Sequence, residues 1–329
     1  MNKILLLLFF LISSASFGCD LCNMYECNAY QNKSFVGVFY RYRVFHGYTH
    51  LNEPHSFFTT PSQIGANRRI LHEPEDAGLA VNKSKYDYER YQTFELRGNY
   101  SIKNKINIQL ILPYRKNEVF YKQVIDWPNP QKDSLITVQG WGDLMLAADY
   151  VKFIQKGKFR HYIRPGFAVK LPTGNCHKKG LGSQAYDPTI QTGTGAFDFL
   201  LRFNYQVGYN NWGVNTAASY KFSTKGNNDY TFGKSLNLNL DVYHRFQFRD
   251  LAIIPKIGTY VEQAQTDKRK KESQRGTGGT SFFLNAGTDL NLKAFTLQLL
   301  FQAPVSERLN NNQIGNAGRF TSGIIYSFN

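Results

Sequence analysis

Long stretches of this 329-residue chain alternate apolar and polar residues one by one, and that alternation limits the fold more than any other feature. In NINIQLILPYR, Ile106, Ile108, Leu110, Leu112 and Tyr114 share one face, while Asn107, Gln109 and Arg115 share the other. AFDFLLRFNYQV sets Phe197, Phe199, Leu201, Phe203, Tyr205 and Val207 against Asp198, Arg202, Asn204 and Gln206. SLNLNLDVYHR opposes Leu236, Leu238, Leu240 and Val242 to Asn237, Asn239, Asp241 and Arg245. A period of two is the mark of a strand with one apolar face. Strands of soluble sheets usually run about 5–6 residues, whereas a tilted membrane-crossing strand takes about 9–11. These runs have membrane length.

Twelve such segments are predicted, near 34–46, 87–101, 105–116, 142–154, 158–171, 196–208, 212–223, 232–247, 251–264, 280–292, 294–304 and 318–329. After even-numbered segments the connectors are tight: KNK at 103, QKGK at 155, YNNW at 209, FRD at 248 and LKA at 292. After odd-numbered ones they are longer, with 47–86 the longest. Short turns at one end and long loops at the other organise outer-membrane barrels. An even strand number puts both termini on one side, which is expected to be periplasmic. The last residues, GIIYSFN, place Ile324, Tyr326 and Phe328 on one face. That ending is similar to the aromatic signal by which barrels reach the outer-membrane assembly machinery. The fold class predicted is an all-β, antiparallel transmembrane barrel of about twelve strands; a soluble sandwich is the rival and would need shorter strands.

Composition agrees. The chain has 26 Phe, 21 Tyr and 27 Gly against 3 Met. A mean hydropathy of −0.41 is a value usual for soluble proteins, but it does not exclude a transmembrane barrel. Lipid-facing and lumen-facing residues average to mild polarity in a barrel. The net charge of +15 points to an anionic partner: lipid phosphate, anionic solutes or nucleic acid. For nucleic acid the charge stands alone, with no motif or aromatic platform behind it, so none is expected as a partner.

The first residues read as an export signal. Asn2 and Lys3 precede the apolar run Ile4 to Ile12, and small residues stand at Ser16 and Gly18. Cleavage is expected before Cys19. The expected organisation is a signal peptide over 1–18, a Cys-rich periplasmic arm over 19–33 and an outer-membrane barrel over 34–329. In the arm, FGCDLCNMYEC carries Cys19, Cys22 and Cys27. A lipid anchor is disfavoured, because Ser16 stands where such signals carry a Leu-like residue. A disulfide in an oxidising compartment leaves one thiol spare, since Cys176 belongs to an outer loop. A set of thiols with Asp20 and Glu26 nearby also suits Cu(I) or Zn(II). Both readings stay open, and no other cofactor is expected.

The stretch RPGFAVKLPTGNC, followed by QTGTGAFDFLLRFNYQVGYNNWGVNTAASYKF, resembles the outer-membrane barrels of the phenol-degradation meta-pathway transporter family. VQGWGDLMLAADY is similar to that family's Gly-x-Gly-Asp strand start, and CDLCNMYEC to the Cys-Asp-x-Cys opening of one branch. The third cysteine departs from that branch's spacing. The resemblance implies a barrel of transport function and names no solute. The motif residues are Gly142, Asp143, Lys170, Pro172, Thr173, Gly174, Gly193 and Gly195. Physically they read as architecture. Pro172 cannot donate to a ladder and ends its strand, Gly174 permits the turn, and Gly193 and Gly195 let the chain re-enter the sheet.

If the apolar faces meet lipid, the opposite residues line the lumen: Arg41, Arg43, Glu95, Arg97, Arg115, Asp149, Arg164, Lys170, Asp198, Arg202, Arg245 and Lys256. Asp143, Lys221, Asp241, Glu262 and Asp289 have the same parity. Two readings fit: charges that pair across a largely closed lumen, or a narrow pore with a modest cationic surplus. Outside it, CHKKG (176–180) and TDKRKKESQR (266–275) are basic loops expected to face outward, as solvated charge or against lipid phosphate. No histidine lies in a hydrolase or metalloprotease motif, so an enzyme is not expected. The function expected is passive passage of a small solute across the outer membrane. The alternatives are a barrel that handles metal through its cysteines, or a closed structural or enzymatic barrel.

Overall fold

The computed structural model describes residues 33–48, 55–56, 86–122, 133–180, 185–274, 276–310 and 313–328. Twelve strands form one antiparallel barrel. They are β1 (Ser34–Tyr48), β2 (Tyr88–Ile102), β3 (Ile106–Lys122), β4 (Asp133–Trp141, Met145–Tyr150 and Lys152–Lys156), β5 (Phe159–Lys170) and β6 (Asp198–Tyr209). Then come β7 (Trp212–Ser223), β8 (Ser235–His244 and Phe246–Phe248), β9 (Leu251–Ala264), β10 (Gly279–Leu292), β11 (Phe295–Leu309) and β12 (Ile314–Phe328). Each pairs with its neighbours in sequence, and β12 closes on β1 from Ser34↔Phe328 to Tyr48↔Ile314. Closure removes the sheet edges that would otherwise template aggregation. It also puts the two ends of the barrel chain side by side.

The tight connectors fall at one end of the barrel. Four of them lie between directly paired residues: Lys156↔Phe159, Tyr209↔Trp212, Phe248↔Leu251 and Leu292↔Phe295. Left-handed φ values at Gly157, Asn210, Arg249 and Lys293 let the chain reverse in two residues. The fifth turn, Lys103–Lys105, uses the same region at Lys103 and Asn104. The long loops lie at the opposite end.

The alternation sorts the faces as predicted. Val36, Val38, Leu96, Ile108, Leu110, Leu201, Leu240, Ile257 and Ile324 are exposed on the outer surface, with Trp141, Trp212, Tyr326 and Phe328 among them. An apolar belt of this kind is stable against hydrocarbon and unfavourable against water. No helix of the described residues is long and apolar enough to cross a membrane; the crossing elements are strands.

Inside, large side chains lie flat over glycines directly across the ladder. A Cβ at Gly323 would meet the Phe39 ring at 2.3 Å, and one at Gly213 the Tyr243 ring at 2.1 Å. Both are cross-strand partners, Phe39↔Gly323 and Gly213↔Tyr243. Asp149 covers Gly166 and Asp241 covers Gly258 in the same way. The glycines let bulky inward groups tile the wall instead of colliding across the lumen. Two apolar clusters complete the interior: Phe35, Phe39 and Ile325, and Ile111, Met145, Ala147, Ala168 and Leu200.

β3 and β11 run on to Lys122 and Leu309, past the predicted 116 and 304, and two other strands are interrupted. The fourth was predicted from 142 but starts at Asp133 and breaks at 142–144, where its ladder with β3 is interrupted between Trp141 and Met145. The eighth breaks at Arg245, whose N–H bonds the Asn211 carbonyl instead of the sheet.

Candidate functional site

The inward-facing residues in the middle of the strands are almost wholly covered, with Lys170 1%, Asn285 1% and Arg202 4% exposed. Along the strands and at the break in β4, nine buried cations face eight buried carboxylates. The cationic surplus anticipated for the lumen nearly cancels.

Most of these charges are held in pairs or triads. Glu95 takes Arg41 on one side and Arg97 on the other, with Arg97 Nε donating at 2.7 Å. Arg97 also stacks on Phe39, 4.3 Å from the ring centre. Arg202 reaches Asp149 at 3.3 Å, and Lys256 reaches Asp289 at 3.2 Å. Arg319 grips Glu262 with both guanidinium nitrogens, at 2.7 and 2.5 Å, and covers Phe283. Such two-point pairs are the strongest ionic contacts available to a side chain. Arg319 was not singled out from sequence, although Glu262 was; its inward parity with Thr321 was the available signal.

The remaining candidates divide. Arg164 is buried beside Tyr162, and Arg43 is half-buried between the rings of Phe45 and Tyr91. Arg115 is buried and donates to the Thr192 carbonyl at 3.4 Å. Arg245 is a correction. It shares the inward parity of Asp241, but the strand break carries it past the covered interior. There it is exposed and bonds Gln247 at the turn end.

The motif residues converge on one carboxylate. Asp143, fully buried in the break of β4, accepts the Gly174 N–H at 2.9 Å through Oδ1. Its Oδ2 accepts the Thr194 N–H at 2.9 Å and the Thr194 hydroxyl at 2.7 Å, with the Lys170 ammonium at 3.2 Å. Lys170 extends the cluster to Asp198 at 2.7 Å and to Thr194. Thr173 accepts the Leu144 N–H at 2.8 Å. The three glycines make this possible. A Cβ at Gly193 would lie 2.3 Å from the Gly174 backbone, and one at Gly174 would lie 2.8 Å from that of Gly142. Gly195, at φ 64°, turns the chain toward β6.

Asp143 thus latches both ends of the β5–β6 connection, residues 171–197, to the barrel wall. Beyond the latch that loop folds back into the loop-end mouth. Ile190 packs on Val119 and Val138, and its carbonyl accepts Asn117 Nδ2 at 2.9 Å. Thr192 is wholly covered. Lys178, expected to face outward, instead bonds the Gln139 carbonyl. Cys176 accepts from Asn227 Nδ2 at 2.8 Å, and Asn227 also meets His177 at 3.1 Å. Burial, and secondarily the Asp143 charge, pushes the Cys176 thiol up from its ordinary value.

The β7–β8 and β9–β10 loops join in a small sheet of Tyr230–Thr231, Lys268–Arg269 and Glu272–Ser273. Asp267 organises it by accepting the Tyr230 hydroxyl at 2.5 Å and the Gly233 N–H at 2.7 Å. Burial raises this carboxyl above its usual range, against the pull of those donors. The basic stretch is therefore, over 266–274, a pinned hairpin.

Cys19, Cys22 and Cys27 lie outside the described residues, as does most of the 47–86 loop. Its segment His55–Ser56 pairs with Glu307 and Ser306 of β11.

No protein-family model matches the chain, and no curated protein matches it in sequence. Among solved structures it is similar to an outer membrane channel from Pseudomonas putida F1, with TM-score 0.61 and 12% identity over 91% of this chain and 97% of that one. Two others are the beta domain of the Bordetella autotransporter Brka (TM-score 0.42, 10% identity, 90% and 99% covered) and a Pseudomonas aeruginosa FadL homologue (0.40, 10%, 93% and 94%). At such identity the likeness to the P. putida channel is one of architecture. The chain has the fold of an outer-membrane β-barrel.

Proposed function

We propose that this protein is an outer-membrane channel for a small solute, closed in the form described and opened by release of the 171–197 loop. The observation that carries the reading is the Asp143 latch. A carboxylate in a break of the wall holds both ends of a re-entrant loop whose Ile190 and Thr192 are buried at the loop-end mouth. The fold shared with the P. putida channel supports the reading, as does the motif resemblance to the meta-pathway transporters. In this reading the turn end and both termini face the periplasm, the 19–33 arm hangs below that mouth after the signal peptide is removed, and assembly follows the aromatic C-terminal strand.

Planar-bilayer conductance of the refolded protein tests it. The intact chain is expected to show rare, small openings, and Asp143→Ala frequent ones at the same unit conductance. A silent Asp143→Ala barrel that is demonstrably folded would rule out the channel.

A further inference from the structure

The two ends of the barrel differ in charge. Toward the loop end, exposed cations meet carboxylates, as in Lys116–Glu118 at 2.7 Å and Lys225–Asp229 at 2.5 Å. At the turn end cations predominate. Lys103 and Lys105 lie in the β2–β3 turn, Arg245 and Arg249 at the β8–β9 turn, and Lys293 in the β10–β11 turn. The β4–β5 hairpin adds Lys152, Lys156, Lys158 and Arg160. All nine are exposed. Across 102–106, 151–160, 209–212, 245–251 and 292–295 the one carboxylate is Asp250, 3.8 Å from Lys293. Arg160 and Arg245 bond neutral groups, the Asn210 carbonyl at 2.6 Å and Gln247 at 3.0 Å.

Two hairpins of this end overhang the wall. Lys152–Lys156 pairs only with β5, because β3 begins at Ile106, opposite Tyr150. Phe246–Phe248 pairs only with β9, because β7 begins at Trp212, opposite His244. Every residue of 152–160 and of 245–250 is exposed. The overhangs are nevertheless rich in rings. Phe159 shares the outward face of Phe167, while Phe246 and Phe248, opposite Ile253 and Leu251, share that of Ile257. Trp212 is exposed between them. Lys152 and Lys156, opposite Ile163 and Phe159, stand on the same outward face. Rings that continue a lipid-facing belt beyond the end of the ladder sit at headgroup depth, where long basic side chains reach phosphate. A soluble acidic partner would match the charge, but it would have to displace the lipid already against the belt these rings continue.

We infer that the turn-end rim, centred on the β4–β5 and β8–β9 hairpins, is a docking surface for anionic phospholipid headgroups. It rests on the membrane barrel and takes from the reading above only the leaflet concerned, the periplasmic one. Each basic residue near an anionic surface is worth about fivefold in association. Trp212 is the reporter: Trp127→Phe with Trp141→Phe leaves it the sole indole of the full barrel. In mixed vesicles, brominated phosphatidylglycerol should quench it with a relative association constant about fivefold above that of brominated phosphatidylcholine. That preference should fall toward one in Lys152→Gln/Lys156→Gln/Lys158→Gln and, separately, be reduced in Arg245→Gln/Arg249→Gln. A form that keeps Trp141 instead should be indifferent to both sets of substitutions. Equal quenching by the two lipids, or a preference that neither set moves, overturns the inference. So does a rim that ignores phosphatidylglycerol yet captures polyglutamate in phosphatidylcholine vesicles, which would mean a soluble acidic partner. The readout needs no conductance, so its failure leaves the channel reading standing, and a silent barrel leaves the rim as measured.

Discussion

Glu95 and Asp143 are both buried carboxylates with cationic partners, yet they sit in different mechanical settings. Glu95 stands in mid-strand, and its arginines come from β2 itself and from the adjacent β1. Those strands are already joined by an unbroken ladder from Phe35↔Asn99 to His46↔Tyr88. Asp143 stands where a ladder is missing, and its donors come from residues 31 and 51 positions away. The first cluster fills a wall that would exist without it. The second substitutes for absent sheet bonds and holds a segment the sheet does not. Similar chemistry therefore bears on stability in one place and on access in the other.

The sharpest way to break that contrast is Glu95→Ala. It strands two buried guanidinium groups, and about 3–5 kcal/mol of stability should be lost in urea unfolding from lipid vesicles, with little change in opening frequency. Asp143→Ala should do the reverse. Its unfolding cost should be smaller, about 1–3 kcal/mol for the donors left unpaired, while conductance rises. Equal stability losses with no conductance difference would erase the distinction.

Gly193→Ala sharpens it further, because it removes no charge. The added methyl meets the Gly174 backbone at 2.3 Å, so the loop must unseat. An overpacking cost of about 1–3 kcal/mol and the open phenotype of Asp143→Ala are expected together. If the channel stays closed, seating of the loop is not what shuts it.

Cys176 reports on the latch chemically. Its thiol is raised by burial and by Asp143, so at a given pH less of it is the reactive thiolate than for a free cysteine. With Cys19, Cys22 and Cys27 changed to serine, its rate of alkylation should reach half-maximum at a higher pH than that of a model thiol. Asp143→Ala removes one of the raising influences and loosens the loop, so the profile should move to lower pH. An unmoved profile would place Cys176 outside the influence of the latch.

The smallest effect is expected at Lys225, which meets Asp229 at 2.5 Å on the solvent-facing loop with both side chains largely exposed. Lys225→Ala should leave both the unfolding midpoint and the conductance unchanged, as for most surface pairs.

Much of this barrel was legible because alternation is local. Leu236 and Asn237 declare opposite faces whatever lies next to them, so strand number, length and the tight turns followed from reading along the chain. The inward face followed from the same parity, and Arg245 shows its limit: parity names a face but not how deep along the barrel the residue falls. The partner of Glu262 was not readable either, since Arg319 lies 57 positions away and meets it across the interior. The break in β4 escaped for a related reason. Gly142 and Asp143 resemble a strand start, and only the returning loop shows that they interrupt a strand already under way.

Alternation, strand length and the alternating connector lengths thus indicated from the sequence alone a membrane barrel of about twelve strands. The tertiary structure decided which charges pair and that Gly142, Gly174 and Gly193 meet around Asp143. Face is set by neighbours one residue apart, whereas contact across a lumen depends on register and curvature summed over every strand between the partners.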